Sequence, residues 1–453
     1  MQEGLIAELS QLVADPARVF TAPAVLDRLS HDFYWYSPVL RSQLADKTAE
    51  AAVQPVSIEE LMAVLRFAGK HRIPVTVRGA GTGNYGQCVP LEGGIVLDLS
   101  LMDRIEEITP GGVAICQPGV RLATLETEAR KRGWELRMYP STLIKATLGG
   151  FLAGGSGGIG SVTHGGLRDF DTVRAIEVVT MEEEPRVVLH EGAAVHEILH
   201  AWGTNGVITR IWFALTPAVE WNQIAVAFGT YEQAFHFAEM VAQVLAWTKR
   251  LVAVFEWPLP TYFGPIKQIV RDGKSQVFLM VAAEQTPKLT SLAQAAGGEI
   301  TFSAHFDGPR TQPLLSDYTW NHTTLWAMKA DPAYTYLQCA FVPSRCLEQC
   351  RLLRERYGED ILFHIEFMKN GQDTVIPAAI PVVRFSTVER LNEMIAYCRS
   401  IEVSIANPHV NYLEDSGRFR PDNIQLQAKL RYDPRGLLNP GKMVTFHKEA
   451  SLI

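Results

Sequence analysis

The chain has 453 residues, 47% hydrophobic and 20% charged, with 42 Lys plus Arg against 49 Asp plus Glu for a net charge of −7. That composition excludes a mainly disordered chain. It also lacks the bulk positive field of non-specific nucleic-acid binders, so no nucleic-acid partner is expected.

At roughly 100–200 residues per domain, the length predicts two or three domains. Glu3 and Glu8 stand where a targeting signal would carry basic residues, and no apolar run reaches the ~18–20 residues of a membrane span. A cytoplasmic protein without a membrane span is expected. The six cysteines form no C-x-x-C, which gives iron–sulfur and zinc-ribbon readings no support; no metal is expected.

In chain order, residues 57–70 read as an amphipathic helix, with Ser57 as N-cap and Glu60 completing a capping box. Residues 73–77 form a short β-branched strand, followed by a glycine-rich turn and a buried strand at 94–99. A strand at 114–117 and a helix at 122–132 repeat the rhythm. Strand 175–180, helix 195–202 and strand 206–215 follow, and Pro217 closes the block. A domain boundary is placed near residue 218.

Over 219–406, strands at 224–228, 251–257, 276–282, 334–341, 362–367 and 382–385 alternate with helices at 231–248, 347–357 and 388–398. The expected class is α+β, with this second domain an open sheet covered by helices on one face. Residues 407–453 are turn-rich and are expected to pack on another domain.

The 35 glycines are unevenly spread. Gly81-x-Gly83-x-x-Gly86 matches the dinucleotide fingerprint and follows a strand. Pro90 and Gly93-Gly94 leave no room for the helix that the fingerprint requires, so the Rossmann reading fails on context. The same loop can turn successive N–H groups inward as an anion nest.

The second cluster puts nine glycines into residues 146–166, too many for a good helix or strand. A linker rarely carries Phe151, Leu152 and Ile159 with a strand just after, so an ordered loop lying against an extended, flat ligand is expected.

The two clusters together, with Leu97-Asp98-Leu99, Gln117-Pro118-Gly119-Val120, Tyr139-Pro140-Ser141-Thr142, Asn205-Gly206-Val207-Ile208-Thr209 and the tail motif at 432–442, resemble the flavoprotein family of the vanillyl-alcohol oxidase and p-cresol methylhydroxylase type. The resemblance is strong over 50–217 and 430–443 and weak between. It implies FAD held by two subdomains of residues 1–218, with 219–406 as the substrate-binding cap and 407–453 returning to the FAD domain.

Arg78, Gly79, Ala80, Gly81, Thr82, Gly83 and Asn84 would wrap the pyrophosphate. Pro118, Gly119, Pro140, Ser141, Thr142, Thr147, Gly149, Gly150, Ala153, Gly155, Ser156, Gly157, Gly158, Ile159 and Gly165 would line the rest, with His164 near flavin or adenine. Val207 and Ile208 would meet the adenosine side, and Asn439 belongs to the closing motif. The family's histidyl and cysteinyl flavin links would fall at Thr82 and near Leu143. Neither can form that bond, so non-covalent FAD is expected.

Hydride transfer to flavin usually needs a base for the hydroxyl proton, and His suits neutral pH. His409, Asn411 and Tyr412 resemble flavin-side segments of related oxidases, and alternation in an extended stretch would put His409 and Asn411 on one face. In the cap, His364 shares a strand face with Glu366, and Arg384 could hold a carboxylate. His322 and Lys329 sit near Trp320 and Trp326.

The H-x-x-x-H patch of metal-assisted relatives is missing. The expected function is an FAD-dependent oxidoreductase of a small hydroxylated or carboxylated metabolite, with glycolate or lactate favoured. A sugar-lactone or alcohol oxidase, or a non-catalytic FAD-binding subunit of a larger complex, stays open. The expected partners are a small-molecule substrate, an electron acceptor not readable from the chain, and either further copies or a complex.

Overall fold

The helix over the first sheet starts where the sequence marks it. In the computed structural model, which describes residues 1–169, 171–306, 308, 314–371, 374–416 and 423–446, Ser57 Oγ accepts the Glu60 N–H at 3.2 Å and caps the helix Ile58–His71. The expected capping box does not close. Glu60 takes Arg18 in a two-pronged ion pair at 2.6 Å instead, a stronger partner than one N–H.

That helix covers a four-stranded sheet ordered Val19–Phe20, Ala51–Val53, Ile95–Asp98, Val75–Arg78, the last three parallel. A six-stranded antiparallel sheet follows, centred on Val207–Pro217. Further along, eight strands form a third open sheet in which Ser275–Ala282 lies between Trp221–Phe228 and Lys249–Phe255, followed by His364–Asn370. Three short strands, Tyr334–Tyr336, Val382–Arg384 and Ile361–Leu362, make a fourth.

The tail reaches the first sheet. Val75 N–H donates to Leu437 O at 2.8 Å, and Asn439 N–H to Val75 O at 2.7 Å. A buried charge cluster joins the second and third sheets: Arg250 meets Glu126 at 3.2 Å, and Glu135 accepts the Trp221 indole N–H at 2.9 Å.

Three sequence expectations change. The single strand expected over 334–341 splits at Leu337 into two strands of different sheets, and that over 362–367 splits at Phe363. Both pivots are buried, so packing of the crossover overrides the continuous β pattern. The 195–202 segment is a 3₁₀ turn at Gly192–Glu197 followed by a bend.

The glycine-rich segment 146–166 contains two short helices, Leu148–Gly154 and Ser161–His164. Thr147 Oγ1 caps the first on Gly150 N–H at 3.3 Å, and burial of Leu148, Phe151 and Leu152 offsets the poor glycine propensity. Among the described residues no helix is long and apolar enough to cross a membrane, and no His/Cys/Asp/Glu group could hold a metal ion.

Candidate functional site

A cavity of about 620 Å³ lies between the glycine segments and the residues around 317–329. Its first wall is backbone. Residues 77–85 run along it after the strand Val75–Arg78, with Gly81 at φ 63°. The N–H groups of residues 80–84 donate to nothing among the described residues. Such a run of unclaimed donors suits an anionic ligand.

Close approach explains the glycines. A Cβ at Gly149 would stand 2.5 Å from Pro118 Cβ; one at Gly79 would strike the Thr147 hydroxyl, and one at Gly158 the Tyr139 carbonyl.

Side chains brace this wall from behind. Asn439 Nδ2 donates to Gln87 O and to Trp202 O, both at 2.7 Å, and Lys442 Nζ donates to Gly86 O at 2.7 Å. Burial pulls the Lys442 ammonium down and pushes the cavity-lining Asp32 carboxyl up, each opposed by the other's charge. His200, also in the lining, donates from Nδ1 to Gly155 O at 2.9 Å. It and Trp202 hold left-handed backbone, φ 56° and 53°, a strain borne where the chain must turn against the cavity.

Of the expected cofactor residues, those at 78–84, Pro118, 140–142, Thr147, Gly149, Gly150, Ala153, 155–157 and Ile208 line the cavity. Gly119, Gly158, Ile159, His164, Gly165, Val207 and Asn439 are not in its lining. Val207 is buried under the first sheet, and Gly158 and Ile159 pair with Tyr139 and Ser161 behind the wall. Burial, with Arg137 and Arg250 nearby, pulls His164 down to about 3.

The second wall is built of side chains. The helix Asn321–Ala330 brings Asn321, His322, Leu325, Trp326 and Lys329 into the lining. Its start is pinned from below. Glu366 Oε1 accepts the Trp320 N–H at 2.9 Å and the His364 Nε2–H at 2.8 Å, with all of this carboxylate and imidazole buried. Trp320 sits at φ 52°, strained for a non-glycine. The His364 ring lies flat on Phe255, centroids 4.8 Å apart. Neither His364 nor Glu366 lines the cavity.

His322 does. Its Nδ1 lies 3.1 Å from the Asp317 carbonyl, which can only accept, so Nδ1 carries the proton, and among the described residues Nε2 keeps a free lone pair. Burial, the largest influence, keeps this imidazole below its ordinary pKa and so uncharged at neutral pH.

The segment around His409 departs from expectation. Asn407 Oδ1 accepts the His409 N–H at 3.0 Å and bends 407–410 into a turn, so the strand alternation expected for His409 and Asn411 is absent. His409 Nε2 donates to Tyr336 O at 2.9 Å, and Nδ1 accepts from Ser37 Oγ at 2.8 Å. Burial pulls it down to about 4. His409, Asn411, Tyr412 and Arg384 are not in the lining. Arg384 pairs with Asp331 at 2.9 Å on the surface.

Sequence reading missed Asp32, Phe33, Tyr36, His200 and Trp202 in the lining. The aromatic run 33–36 was the one local signal for any of them.

Residues 49–188, which hold the backbone wall, match the FAD binding domain family model. The chain carries an FAD-binding domain and is an FAD-dependent oxidoreductase. It is 26% identical to D-lactate dehydrogenase of Archaeoglobus fulgidus over 88% of this chain and 93% of that one. It is 24% identical to glycolate oxidase subunit GlcD of Bacillus subtilis over 88% and 90%.

The fold is that of alkyldihydroxyacetonephosphate synthase, with a TM-score of 0.74, 14% identity, and coverage of 98% of this chain and 86% of that one. The unclaimed N–H run fits the oxidoreductase's FAD: an extended anion against bare backbone.

Proposed function

We propose that this FAD-dependent oxidoreductase dehydrogenates a 2-hydroxy acid of the lactate or glycolate type. The observation that carries the reading is the free Nε2 of His322, held in the cavity by the Nδ1–H to Asp317 O bond. A similar activity is named in the relatives from Archaeoglobus fulgidus and Bacillus subtilis.

In this reading residues 1–218 with 407–453 hold FAD, and residues 219–406 cap it. The N–H groups of residues 80–84 bind the cofactor's phosphates, and Ser141, Thr142 and 155–157 border the rest. FAD, when bound, supplies the two-electron acceptor for a hydride. His322 Nε2 takes the proton from the substrate hydroxyl oxygen as a hydride leaves the carbon that bears this oxygen, so the alcohol becomes a carbonyl. Trp320 and the apolar cap residues keep water from that proton. Glu366 acts through Trp320 as a positioning residue.

With Thr82 and Leu143 at the attachment positions, FAD is held without a covalent bond. The enzyme acts in the cytoplasm and hands electrons to a separate acceptor, as one copy of an oligomer or as a subunit. The purified protein is expected to be yellow. Trichloroacetic acid should release the colour to the supernatant, and D-lactate or another 2-hydroxy acid should bleach it without oxygen. A yellow pellet sinks the non-covalent reading; a yellow protein that no 2-hydroxy acid bleaches sinks the substrate reading.

A further inference from the structure

Of the five residues that the helix Asn321–Ala330 puts into the lining, Asn321 stands at its first position, and His322, Leu325, Trp326 and Lys329 follow at spacings i, i+3, i+4 and i+7. This is one stripe of a helix. His322 and Lys329 stand two turns apart, about 10 Å along the axis. Between them lie only apolar side chains.

The apolar stretch is built up from behind. Tyr318, also in the lining, stacks on Trp326 with ring centroids 5.6 Å apart and backs onto Phe263 at 5.3 Å. At the far end the Lys329 ammonium stands 4.2 Å over the Trp326 ring. The nearest carboxylate along the chain, Asp331, is occupied by Arg384 at 2.9 Å and by the Ala333 N–H at 2.9 Å.

A two- or three-carbon acid with its carboxylate beside its hydroxyl uses only the His322 end. It leaves the apolar surface of Tyr318, Leu325 and Trp326 uncovered, which is unfavourable in water. It also leaves Lys329 two turns from any charge on the substrate.

We propose that the substrate is an elongated amphipathic 2-hydroxy acid. Its hydroxyl-bearing head lies at His322, its aromatic or aliphatic body lies on Leu325 and Trp326, and a second anionic group at its far end meets Lys329. The proposal rests on the 2-hydroxy-acid reading and narrows it. The chemistry is unchanged: the hydroxyl proton passes to Nε2, bound FAD would supply the hydride acceptor, and the far end takes no part. What the stripe sets is the length and the order of head, body and tail.

The test compares lactate, 3-phenyllactate and 2-hydroxydecanedioate as anaerobic reductants of the holoenzyme flavin. The expected order of kcat/KM rises at least tenfold from lactate to phenyllactate, and again to the diacid. Lys329→Met should lower the diacid value at least tenfold more than the phenyllactate value, mainly through KM. Trp326→Ala should lower both without changing lactate's rank.

A binding measurement stands apart from turnover. Decanedioate, which has no hydroxyl to oxidise, should quench tryptophan fluorescence of the holoenzyme, and Lys329→Met should weaken that titration at least tenfold.

Lactate matching the diacid overturns the proposal, as does a decanedioate titration indifferent to Lys329→Met. If none of the three acids bleaches the flavin, the 2-hydroxy-acid reading fails. The decanedioate titration then decides the stripe alone.

Discussion

The two walls of the cavity are made in opposite ways. The FAD-side wall is backbone with side chains removed: glycines at 79, 149 and 158 let three segments touch, and the exposed chemistry is a run of N–H groups. The cap-side wall is mostly side chains of one helix, whose start is pinned by the carboxylate of Glu366 on the Trp320 N–H and whose His322 is held by the Asp317 carbonyl. The first needs residue types that form a visible sequence pattern. The second needs positions, which no local pattern records.

The largest effect should break the backbone wall. Gly158→Ala drives a Cβ into the Tyr139 carbonyl, and backbone cannot swing aside. A loss of about 3 kcal/mol or more in stability is expected, with the protein purified colourless. Gly154→Ala, whose nearest neighbour is the Gln87 side chain at 3.5 Å, should keep its FAD. Equal flavin content in the two variants would mean that close approach is not what these glycines provide.

Next in size is the base. His322→Gln should slow anaerobic flavin reduction by about 10²–10⁴-fold with FAD retained. His409→Gln, altering a ring engaged by Ser37 and Tyr336 outside the lining, should leave the rate per bound flavin within about twofold. The reverse ranking returns the base to His409.

The pH profile carries a sign. Burial lowers the His322 pKa below its usual 6.5, so the free base persists through neutral pH. The reduction rate should therefore be flat above pH 7 and fall only on the acid side of 6.5, as Nε2 gains a proton. A rate still climbing between pH 7 and 9 would remove His322 from the role.

The smallest effect belongs to the support. Glu366→Ala leaves the Trp320 N–H and the His364 Nε2–H without their acceptor and should cost about 1–3 kcal/mol, read as a lowered Tm. If Glu366 also aims the cavity face, KM should rise in the folded variant, while Glu366→Gln, which keeps an acceptor, should recover most of both. A lowered Tm with unchanged KM would reduce Glu366 to a structural role.

Much of the backbone wall was legible. The G-x-G-x-x-G without its helix pointed to an anion nest in another geometry, and the cavity indeed runs along residues 77–85. The density at 146–166 pointed to close packing on a flat ligand but hid the helix Leu148–Gly154. Its stability comes from buried Leu148, Phe151 and Leu152 rather than from propensity. His364 and Glu366 were legible as one strand face, and they do bond at 2.8 Å. The helix above them that they support was not.

The sequence by itself pointed to the cofactor class through the resemblance that the two glycine clusters and their flanking segments carry, because glycine spacing is a local signal. It also determined the α+β class and the limits on charge. Only the tertiary structure decided which of the three histidines weighed from the sequence faces the cavity. His322, His364 and His409 each looked plausible beside apolar and polar neighbours. What separates them is the partner each ring nitrogen finds: Asp317 O, five residues away in the chain, or Ser37, 372 residues away. A free lone pair is the result of all the contacts around a ring, and those contacts exist only once distant segments have packed.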